Sequence, residues 1–318
     1  MSANIPKTVA LIGTGVIGRG WIRVFAARGV RVRLHDADPA GVANALGWLR
    51  QDLEADLADG FVSSEEAAAI LSRVSGEREL GAALREAEYV QESAPERIEV
   101  KRAVFAELDR LAPPEAILAS STSALDIGEI AGGLPGERRC VMAHPFNPPH
   151  LLPVVEMLGA PRTDLAVLER ACAILTACGQ IPVRMNRYVK GFLGNRIQAA
   201  VVREALHLVE TGVADPVAVD AVIRDALALR WATIGNFGAN HTNADQGIAQ
   251  YFSRYGDAYR GLIADLDQAP PRFDETVLKR VGEAVERREG VRSVAELCRK
   301  RDVMVKKLRK LKDAEQGR

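Results

Sequence analysis

The sequence has no excess of charge of either sign, since its 42 lysines and arginines are balanced by 42 aspartates and glutamates. Proteins that attract nucleic acid or an anionic membrane through a global electrostatic field need a basic excess. We therefore expect no nucleic-acid partner and no membrane partner. A small molecule is the expected ligand.

Long apolar runs are missing as well. No stretch of about 18 apolar residues, the length that a transmembrane helix needs, occurs in the sequence. The first residues, MSANIPKTVALIG, lack the charged region and the long apolar region of a secretory signal. These absences predict a cytoplasmic protein.

Cysteine is scarce and is not arranged in pairs. The sequence contains four cysteines, Cys140, Cys172, Cys178 and Cys298, in apolar or helical contexts and without C-x-x-C spacing. A disulfide framework and a zinc site are therefore both disfavoured. We predict reduced cysteines and no metal.

What the sequence does contain is enough apolar residues, 47% of 318, to build two domains. In the first part, short β-branched runs alternate with helical patterns, which is typical of an α/β fold with a doubly wound, mostly parallel sheet of the Rossmann type. The strand-like runs are TVALIG, VRVRLHD, YVQES, AILASSTS, CVMAHP and IPVRM. Helical sequence between VRVRLHD and YVQES, broken near Gly60 and Ser63, predicts an inserted helical hairpin.

From Lys190 onward the strand-like runs stop and helical patterns continue to the end of the chain. The predicted domains are therefore 1–187, α/β, and 188–318, all-α. The last helical pattern, from Leu297 to Lys312, has apolar residues on one face and eight basic residues on the others. We interpret it as a terminal amphipathic helix with a solvated basic face rather than as a nucleic-acid site.

The stretch VALIGTGVIGRGW contains three glycines, Gly13, Gly15 and Gly18, in the pattern G-x-G-x-x-G between a strand and a helix. In this pattern the glycines allow a tight turn, the approach of a pyrophosphate and close helix packing. The helix-like stretch GRGWIRVFAARG follows, and the free N–H groups at the start of a helix suit an anion. Val16 and Ile17, within the turn, are predicted to bind the cofactor as well. Turns of this kind also occur without a ligand.

Asp36 supports a dinucleotide ligand, because it ends the second strand 23 residues after Gly13. A carboxylate at that place accepts hydrogen bonds from a ribose. Asp36 is followed by Ala37 and Asp38 and not by arginine, so a 2′-phosphate would meet uncompensated negative charge. The predicted cofactor is NAD rather than NADP.

His144 follows the apolar run CVMA at the end of a predicted strand, which is where open α/β sheets place their ligands. Oxidation of an alcohol needs a base that titrates near neutral pH, and histidine does so. Glu156 is the natural partner to orient His144. On spacing alone, a strand-end histidine and a surface acid explain these residues equally well. His150 and His241 are weaker candidates for contact with a substrate.

Several longer motifs carry a family resemblance: QESAPERIEVK, SSTSALDI, HPFNPPHLLPVVE, KGFLGNRIQ and LRWATIG. With the glycine turn, they make nearly the whole chain resemble the 3-hydroxyacyl-CoA dehydrogenase family. Within that family the chain most resembles the lambda-crystallin and L-gulonate 3-dehydrogenase branch. The resemblance implies a homodimer formed through the helical half.

The resemblance also implies roles for particular residues. The catalytic dyad falls on His144 and Glu156, and the substrate-side serine is Ser123. The asparagines of two family motifs are Asn147, beside the cofactor, and Asn195, beside the substrate. An acid and a lysine near the nicotinamide ribose are Glu96 and Lys101. Taken alone, the serine and asparagines are neutral groups that suit an alkoxide or ketone oxygen, and equally suit helix caps or turns.

The choice of substrate depends on two features. Between Gly47 and Ser72 the predicted hairpin has a single basic residue, Arg50, and six acidic ones, Asp52, Glu54, Asp56, Asp59, Glu65 and Glu66, which disfavours the phosphates of CoA. In LRWATIG, Arg230 is suited to bind a free carboxylate, as the resemblance to the lambda-crystallin and carnitine dehydrogenase branches implies. Alternatively, Arg230 forms a surface ion pair.

These features favour NAD-dependent oxidation of the 3-hydroxyl of a small free hydroxy acid, L-gulonate-like or related. A 3-hydroxyacyl-CoA such as 3-hydroxybutyryl-CoA, or L-carnitine, is the alternative substrate. A crystallin-like protein that binds NAD without catalysis is the remaining alternative.

Overall fold

The computed structural model describes residues 5–267, 270–290 and 292–315. The chain forms two compact units, residues 1–193 and 194–318. The boundary expected from the sequence, after residue 187, lies six residues earlier than this division.

The first unit is built on a single eight-stranded sheet with the order β3-β2-β1-β4-β5-β6-β7-β8. Strands β1 to β6 are parallel, β7 is antiparallel to β6, and β8 is parallel to β7. The strands are β1 (Thr8–Ile12), β2 (Arg31–His35), β3 (Val74–Gly76), β4 (Tyr89–Glu92), β5 (Ile117–Ser120), β6 (Cys140–Pro145), β7 (Val154–Gly159) and β8 (Ile181–Arg184). The predicted Rossmann-type, mostly parallel sheet is confirmed.

Helices cover both faces of the sheet, so its central strands are buried on both sides. In β1, Val9 and Leu11 belong to one core, and Ala10 and Ile12 belong to the core on the opposite face. The helices of this unit are α1 (Val16–Ala26), α2 (Gly41–Ala58), α3 (Ser64–Ser72), α4 (Leu80–Leu84), α5 (Ile98–Leu111), α6 (Ile127–Ala131) and α7 (Leu165–Ala177). Because β1 is buried on both faces, its sequence TVALI is a continuous apolar run and does not alternate between apolar and polar residues.

The sequence patterns did not predict two strands, β3 and β7. β3 has only three residues, VSG, and two of them are exposed. β7 follows prolines and contains a glutamate, Glu156, in an otherwise apolar run, VVEMLG. Neither segment shows the apolar periodicity that identifies a strand in sequence.

The predicted helical hairpin is formed by α2 and α3. Ser63 caps α3 by accepting a hydrogen bond from the Glu66 amide, and Glu66 accepts one from the Ser63 amide. Two acids of the hairpin, Asp52 and Asp56 on α2, are not free surface charges. They lie 3.2 and 2.7 Å from the nearly buried guanidinium of Arg23 on α1. The hairpin is therefore less acidic toward a ligand than its sequence suggests.

The second unit is helical in the described part of the chain, as predicted. Its elements are α8 (Gly194–Glu210), α9 (Pro216–Ala221), a π-helical segment (Val222–Ala228), α10 (Leu229–His241), α11 (Ile248–Leu266), α12 (Glu275–Glu289) and α13 (Val294–Glu315). α10 is kinked at Gly235, whose φ of 72° suits glycine. Over the ranges given above, no helix combines the length and the apolar character needed to cross a bilayer.

Candidate active site

The predicted ligand-binding groups of the first unit follow the carboxyl ends of parallel strands. Gly13 follows β1, Asp36 follows β2, and Ser123 lies in the loop after β5. His144 lies near the end of β6. Because these strands are neighbours and parallel, their carboxyl ends form one edge of the sheet, where α/β folds bind ligands.

The turn between β1 and α1 has the space that a pyrophosphate requires. Gly13 has φ of 91°, and a Cβ there would come within 2.6 Å of the Ser93 carbonyl oxygen. A Cβ at Gly18 would overlap the Gly13 carbonyl. At Gly15, by contrast, a Cβ would meet no described atom within 4 Å, which leaves the approach to the backbone open.

The start of α1 presents backbone donors at this turn. Gly15 is the N-cap, and among the described residues no side chain caps the helix and no acid lies in its first turn. The N–H groups at the first positions, Val16 and Ile17, are therefore free to bind an anion. The turn fits the pyrophosphate of a dinucleotide.

Asp36 is fixed by three hydrogen bonds at the end of β2. Its Oδ2 accepts bonds from the Thr14 amide at 2.6 Å and the Thr14 hydroxyl at 2.7 Å, and its Oδ1 accepts one from the Asp38 amide at 2.9 Å. Burial opposes ionisation, but the hydrogen bonds outweigh it and hold the pKa of Asp36 below its ordinary value. Oδ1 keeps a lone pair for a ribose hydroxyl.

A cleft of about 630 Å³ lies beside Asp36 and has the size expected for part of a cofactor. Its described lining contains the acids Asp36 and Glu107 but no lysine or arginine. The apolar part of the lining includes Leu80, Val100 and Val104. The cleft suits an adenosine without a 2′-phosphate.

We predict that NAD is preferred over NADP by at least about tenfold in kcat/KM, because one unpaired charge contact easily supplies about 1.4 kcal/mol. The measurement is steady-state kinetics with each cofactor at a fixed substrate concentration. Asp36→Ser replaces the carboxylate with a neutral hydroxyl, so it should lower the ratio of kcat/KM with NAD to kcat/KM with NADP. Equal or better turnover of the unaltered protein with NADP would contradict the prediction.

His144 and Glu156 lie directly opposite each other on the antiparallel pair β6 and β7. Their side chains are joined by a 2.7 Å contact between Nδ1 of His144 and Oε2 of Glu156. Both side chains are buried, with 7% of His144 and 1% of Glu156 exposed. Glu156 is therefore a buried strand residue in contact with His144 and not a surface acid.

This geometry selects one tautomer of the imidazole. A carboxylate accepts hydrogen bonds, so Nδ1 of His144 carries the proton that is donated to Glu156. Nε2 is then left with a lone pair and has the character of a base. The second oxygen of Glu156, Oε1, accepts a 2.7 Å hydrogen bond from the Leu193 amide, which fixes the carboxylate.

Lys101 is a buried lysine held by two acids. Its Nζ lies 2.8 Å from Glu92 Oε1 and 3.4 Å from Glu96 Oε2, and it donates to the Ala94 carbonyl at 3.1 Å. Burial raises the pKa of Glu92, and the ammonium of Lys101 opposes that rise. The structure thus brings Glu96 and Lys101 together, as their spacing suggests, and adds Glu92.

Glu96 also organises the loop that contains Ser123. Its Oε1 accepts hydrogen bonds from the Thr122 hydroxyl at 2.6 Å and from the amides of Ser123 and Ala124 at 2.8 and 2.9 Å. Burial opposes ionisation of Glu96, but these bonds and the charge of Lys101 hold its pKa below the usual value. Oε2 remains on the side of Lys101, away from the loop.

Three other predicted residues lie in other parts of the chain. Asn147 is exposed in the loop after β6. Asn195 is the second residue of α8, and Arg230 the second residue of α10, both in the second unit. Two other arginines of that unit form ion pairs, Arg224 with Asp225 and Arg288 with Asp220. Among the described residues, no carboxylate forms an ion pair with Arg230.

Sequence reasoning missed three groups at this edge of the sheet: Thr14, Glu92 and Phe192. Thr14 is the variable position between two motif glycines, and Glu92 is the last residue of β4. For Glu92, the signal available in the sequence was an acid at the end of a strand-like run, nine residues before a lysine. Phe192 had no signal, because its contact with His144 joins residues far apart in sequence.

Two family models match the chain. The model of the 3-hydroxyacyl-CoA dehydrogenase NAD binding domain matches residues 8–188, and that of the C-terminal domain matches residues 191–279. The chain belongs to the 3-hydroxyacyl-CoA dehydrogenase family. It is an oxidoreductase of that family, and its cofactor is NAD.

Relatives within the 3-hydroxyacyl-CoA dehydrogenase family match along most of the chain. A lambda-crystallin homolog of Bos taurus is 39% identical over 284 residues, which are 89% of this chain and 88% of that protein. An L-carnitine dehydrogenase of a Pseudomonas species is 36% identical over 302 residues, 93% and 91% of the two chains. The resemblance to the lambda-crystallin branch is therefore confirmed.

A solved structure of similar architecture extends over the whole chain. It is 5-formyl-3-hydroxy-2-methylpyridine 4-carboxylic acid 5-dehydrogenase, an NAD-dependent dismutase, with a TM-score of 0.78 and 25% identity. The match covers 99% of this chain and 100% of the other.

Proposed function

We propose that the protein oxidises the 3-hydroxyl of a small free hydroxy acid to the 3-keto acid, with NAD as the hydride acceptor and His144 as the base. The observation that carries this proposal is the buried 2.7 Å contact between His144 Nδ1 and Glu156 Oε2. It leaves Nε2 of His144 as an acceptor at the carboxyl edge of the sheet.

In the proposed reaction, His144 Nε2 removes the proton of the substrate hydroxyl, and Glu156 stabilises the imidazolium that forms. Bound NAD supplies the acceptor for the hydride. Ser123 and Asn195 are proposed to hold the substrate oxygen, because neutral donors stabilise a developing alkoxide without competing for the proton on His144. We assign Glu96, Lys101 and Asn147 to the nicotinamide side of the cofactor.

The free acid is favoured over a CoA thioester by Arg230. Its guanidinium has no carboxylate partner among the described residues, so it is available for a bidentate bond to a substrate carboxylate. The acidic hairpin gives weaker support, since Arg23 neutralises part of its charge. L-carnitine carries both a 3-hydroxyl and a free carboxylate, and a relative at 36% identity is named for it.

The experiment that tests this proposal is a panel of substrates incubated with the pure protein and NAD while NADH absorbance is followed. The panel contains L-gulonate, other free 3-hydroxy acids, L-carnitine and 3-hydroxybutyryl-CoA. Faster turnover of a free acid supports the proposal. If the protein turns over the CoA thioester faster than any free acid, the acyl-CoA reaction takes the place of the proposed one. If it binds NAD but turns over none of the compounds, the non-catalytic alternative is supported.

We further propose that the protein is a homodimer assembled through its helical unit. That unit exposes large apolar side chains, including Val213 and Phe237, each 70% exposed, and Leu229 and Leu262. Such a surface fits a second copy of the same chain, because most soluble oligomers are symmetric homo-oligomers.

We predict a mass of about twice 34.4 kDa in solution at micromolar concentration, measured by sedimentation equilibrium. Phe237→Glu should shift the protein toward the monomer, because it places a charge on the exposed apolar surface. Glu169→Gln on α7 of the first unit serves as the surface control. A single-chain mass for the unaltered protein at that concentration would count against the dimer.

We also propose a cytoplasmic location. All four cysteines are free, as expected for a reducing compartment. Burial raises the pKa of Cys140 and Cys178 to about 12, so neither thiol is poised to act as a nucleophile. These cysteines are therefore interpreted as structural residues.

A further inference from the structure

Residues 188–193, which lie between β8 and α8 and end where α8 begins, contact three parts of the candidate active site. The Tyr188 hydroxyl donates a 2.9 Å hydrogen bond to the Ala124 carbonyl, next to Ser123. The Phe192 ring lies against the imidazole of His144, with ring centroids 5.4 Å apart. The Leu193 amide donates to Glu156. We call residues 188–193 the linker segment.

Phe192 holds an unusual conformation within the linker segment. Its φ is 50°, in the left-handed region that non-glycine residues rarely adopt, and the preceding Gly191 has φ of 81°. Such a backbone persists only where its surroundings enforce it, and such residues cluster at functional sites. Here the enforcing contacts are visible: the side chain is fully buried, and its ring packs against both His144 and Tyr188.

The two left-handed residues have a geometric consequence. They turn the chain so that the Phe192 side chain enters the core and the next amide, that of Leu193, reaches Glu156 Oε1 at 2.7 Å. One short turn therefore contacts both members of the His144 and Glu156 pair. A second ring, that of Phe146, also lies near His144, with ring centroids 5.7 Å apart.

We infer that Phe192 is a positioning residue that fixes the imidazole of His144, while the Leu193 amide fixes Glu156. This inference rests on the proposed function, in which His144 is the base. A ring packed against the imidazole limits its rotation and keeps water from the hydrogen bond between Nδ1 and Glu156. Nε2 is then held in one direction before a substrate binds, which lowers the reorganisation required for proton transfer.

The test compares Phe192→Leu with Phe105→Leu. Both phenylalanines are fully buried in the same hydrophobic core, but Phe105 lies on α5 and belongs neither to the linker segment nor to the dyad. The two variants remove the same atoms, so their melting temperatures should fall by similar amounts. We expect Phe192→Leu to lower kcat by about tenfold, with KM for NAD nearly unchanged, and Phe105→Leu to keep kcat.

A second readout does not depend on turnover. The Nδ1 proton of His144, held between imidazole and carboxylate, should give a downfield proton resonance protected from exchange with water, assigned by its loss in His144→Gln. It should broaden or vanish in Phe192→Leu and persist in Phe105→Leu. Tyr188→Phe keeps the ring beside Phe192 and removes only the bond to Ala124, so it should preserve this resonance and lower kcat less than Phe192→Leu does.

The outcomes separate the inference from the proposed function. If Phe192→Leu and Phe105→Leu match in kcat and in the Nδ1 resonance, Phe192 is a core residue only and the inference is overturned. If His144→Ala keeps full activity while the resonance still depends on Phe192, the proposed base is wrong, although the ring is positioned as described.

Discussion

Replacing His144 with alanine should lower kcat by roughly 10²–10⁴-fold, the effect typical of a lost general base. The reason is geometric: the Nδ1 contact with Glu156 leaves Nε2 as the proton acceptor, and alanine offers none. Affinity for NAD should hardly change, because the glycine turn and Asp36 lie at the ends of other strands. The measurement is kcat under saturating substrate and NAD, with NAD affinity measured separately by titration.

Glu156→Gln is the matched variant for this prediction. The amide has nearly the same shape, but its single oxygen cannot accept hydrogen bonds from both the Leu193 amide and Nδ1 of His144, so the orientation of the imidazole is disturbed. The amide also carries no charge to stabilise the imidazolium, so kcat should fall, but by less than in His144→Ala. If His144→Ala retained nearly full activity across the pH range, His144 could not be the base and the mechanism would have to be abandoned.

Replacing Arg230 with methionine should reduce kcat/KM for the acid substrate by an amount equivalent to about 2–5 kcal/mol, because truncating one partner of a desolvated charge pair leaves the other unpaired. Most of the loss should appear as a higher KM. If the bond between Arg230 and the substrate carboxylate also aligns the carbinol hydrogen with the nicotinamide, kcat should fall too. NAD affinity should stay the same.

Arg224→Met is a matched control for Arg230, since Arg224 is an exposed arginine of the same helical unit that is already paired with Asp225. It should leave kcat/KM unaltered. The comparison is made with a free 3-hydroxy acid and with its CoA thioester, for the unaltered protein and for both variants. An unaltered protein that prefers the thioester, or an Arg230→Met variant with normal kcat/KM for the acid, would falsify the carboxylate role.

The sequence determined those features of the protein whose parts are close together in the chain. The spacing of Gly13, Gly15 and Gly18 predicts the turn from β1 into α1. The room for a Cβ at each of these glycines in the structure agrees with the role that the motif gives it. Asp36 could be placed because it ends the strand next in sequence. The alternating α/β half and the helical half could be predicted because periodicity is a local property.

Only the tertiary structure decided which residues meet across the sheet. His144 and Glu156 become partners because β6 and β7 pair in one particular antiparallel register, and a shift of one residue would turn their side chains to opposite faces. Spacing in sequence does not encode that register. β7 has no clear signature in the sequence, so a surface acid remained an equal interpretation of Glu156 at the level of sequence.

The same limit applies to charges. In sequence, Asp52 and Asp56 count as part of an acidic hairpin, but in the fold they flank Arg23 of another helix. The sequence indicated Glu96 as the partner of Lys101, but in the fold the ammonium lies closer to Glu92 at the end of β4. Composition fixes how many charges a segment carries, whereas the effect of each charge depends on burial and on neighbours that only the folded chain brings together.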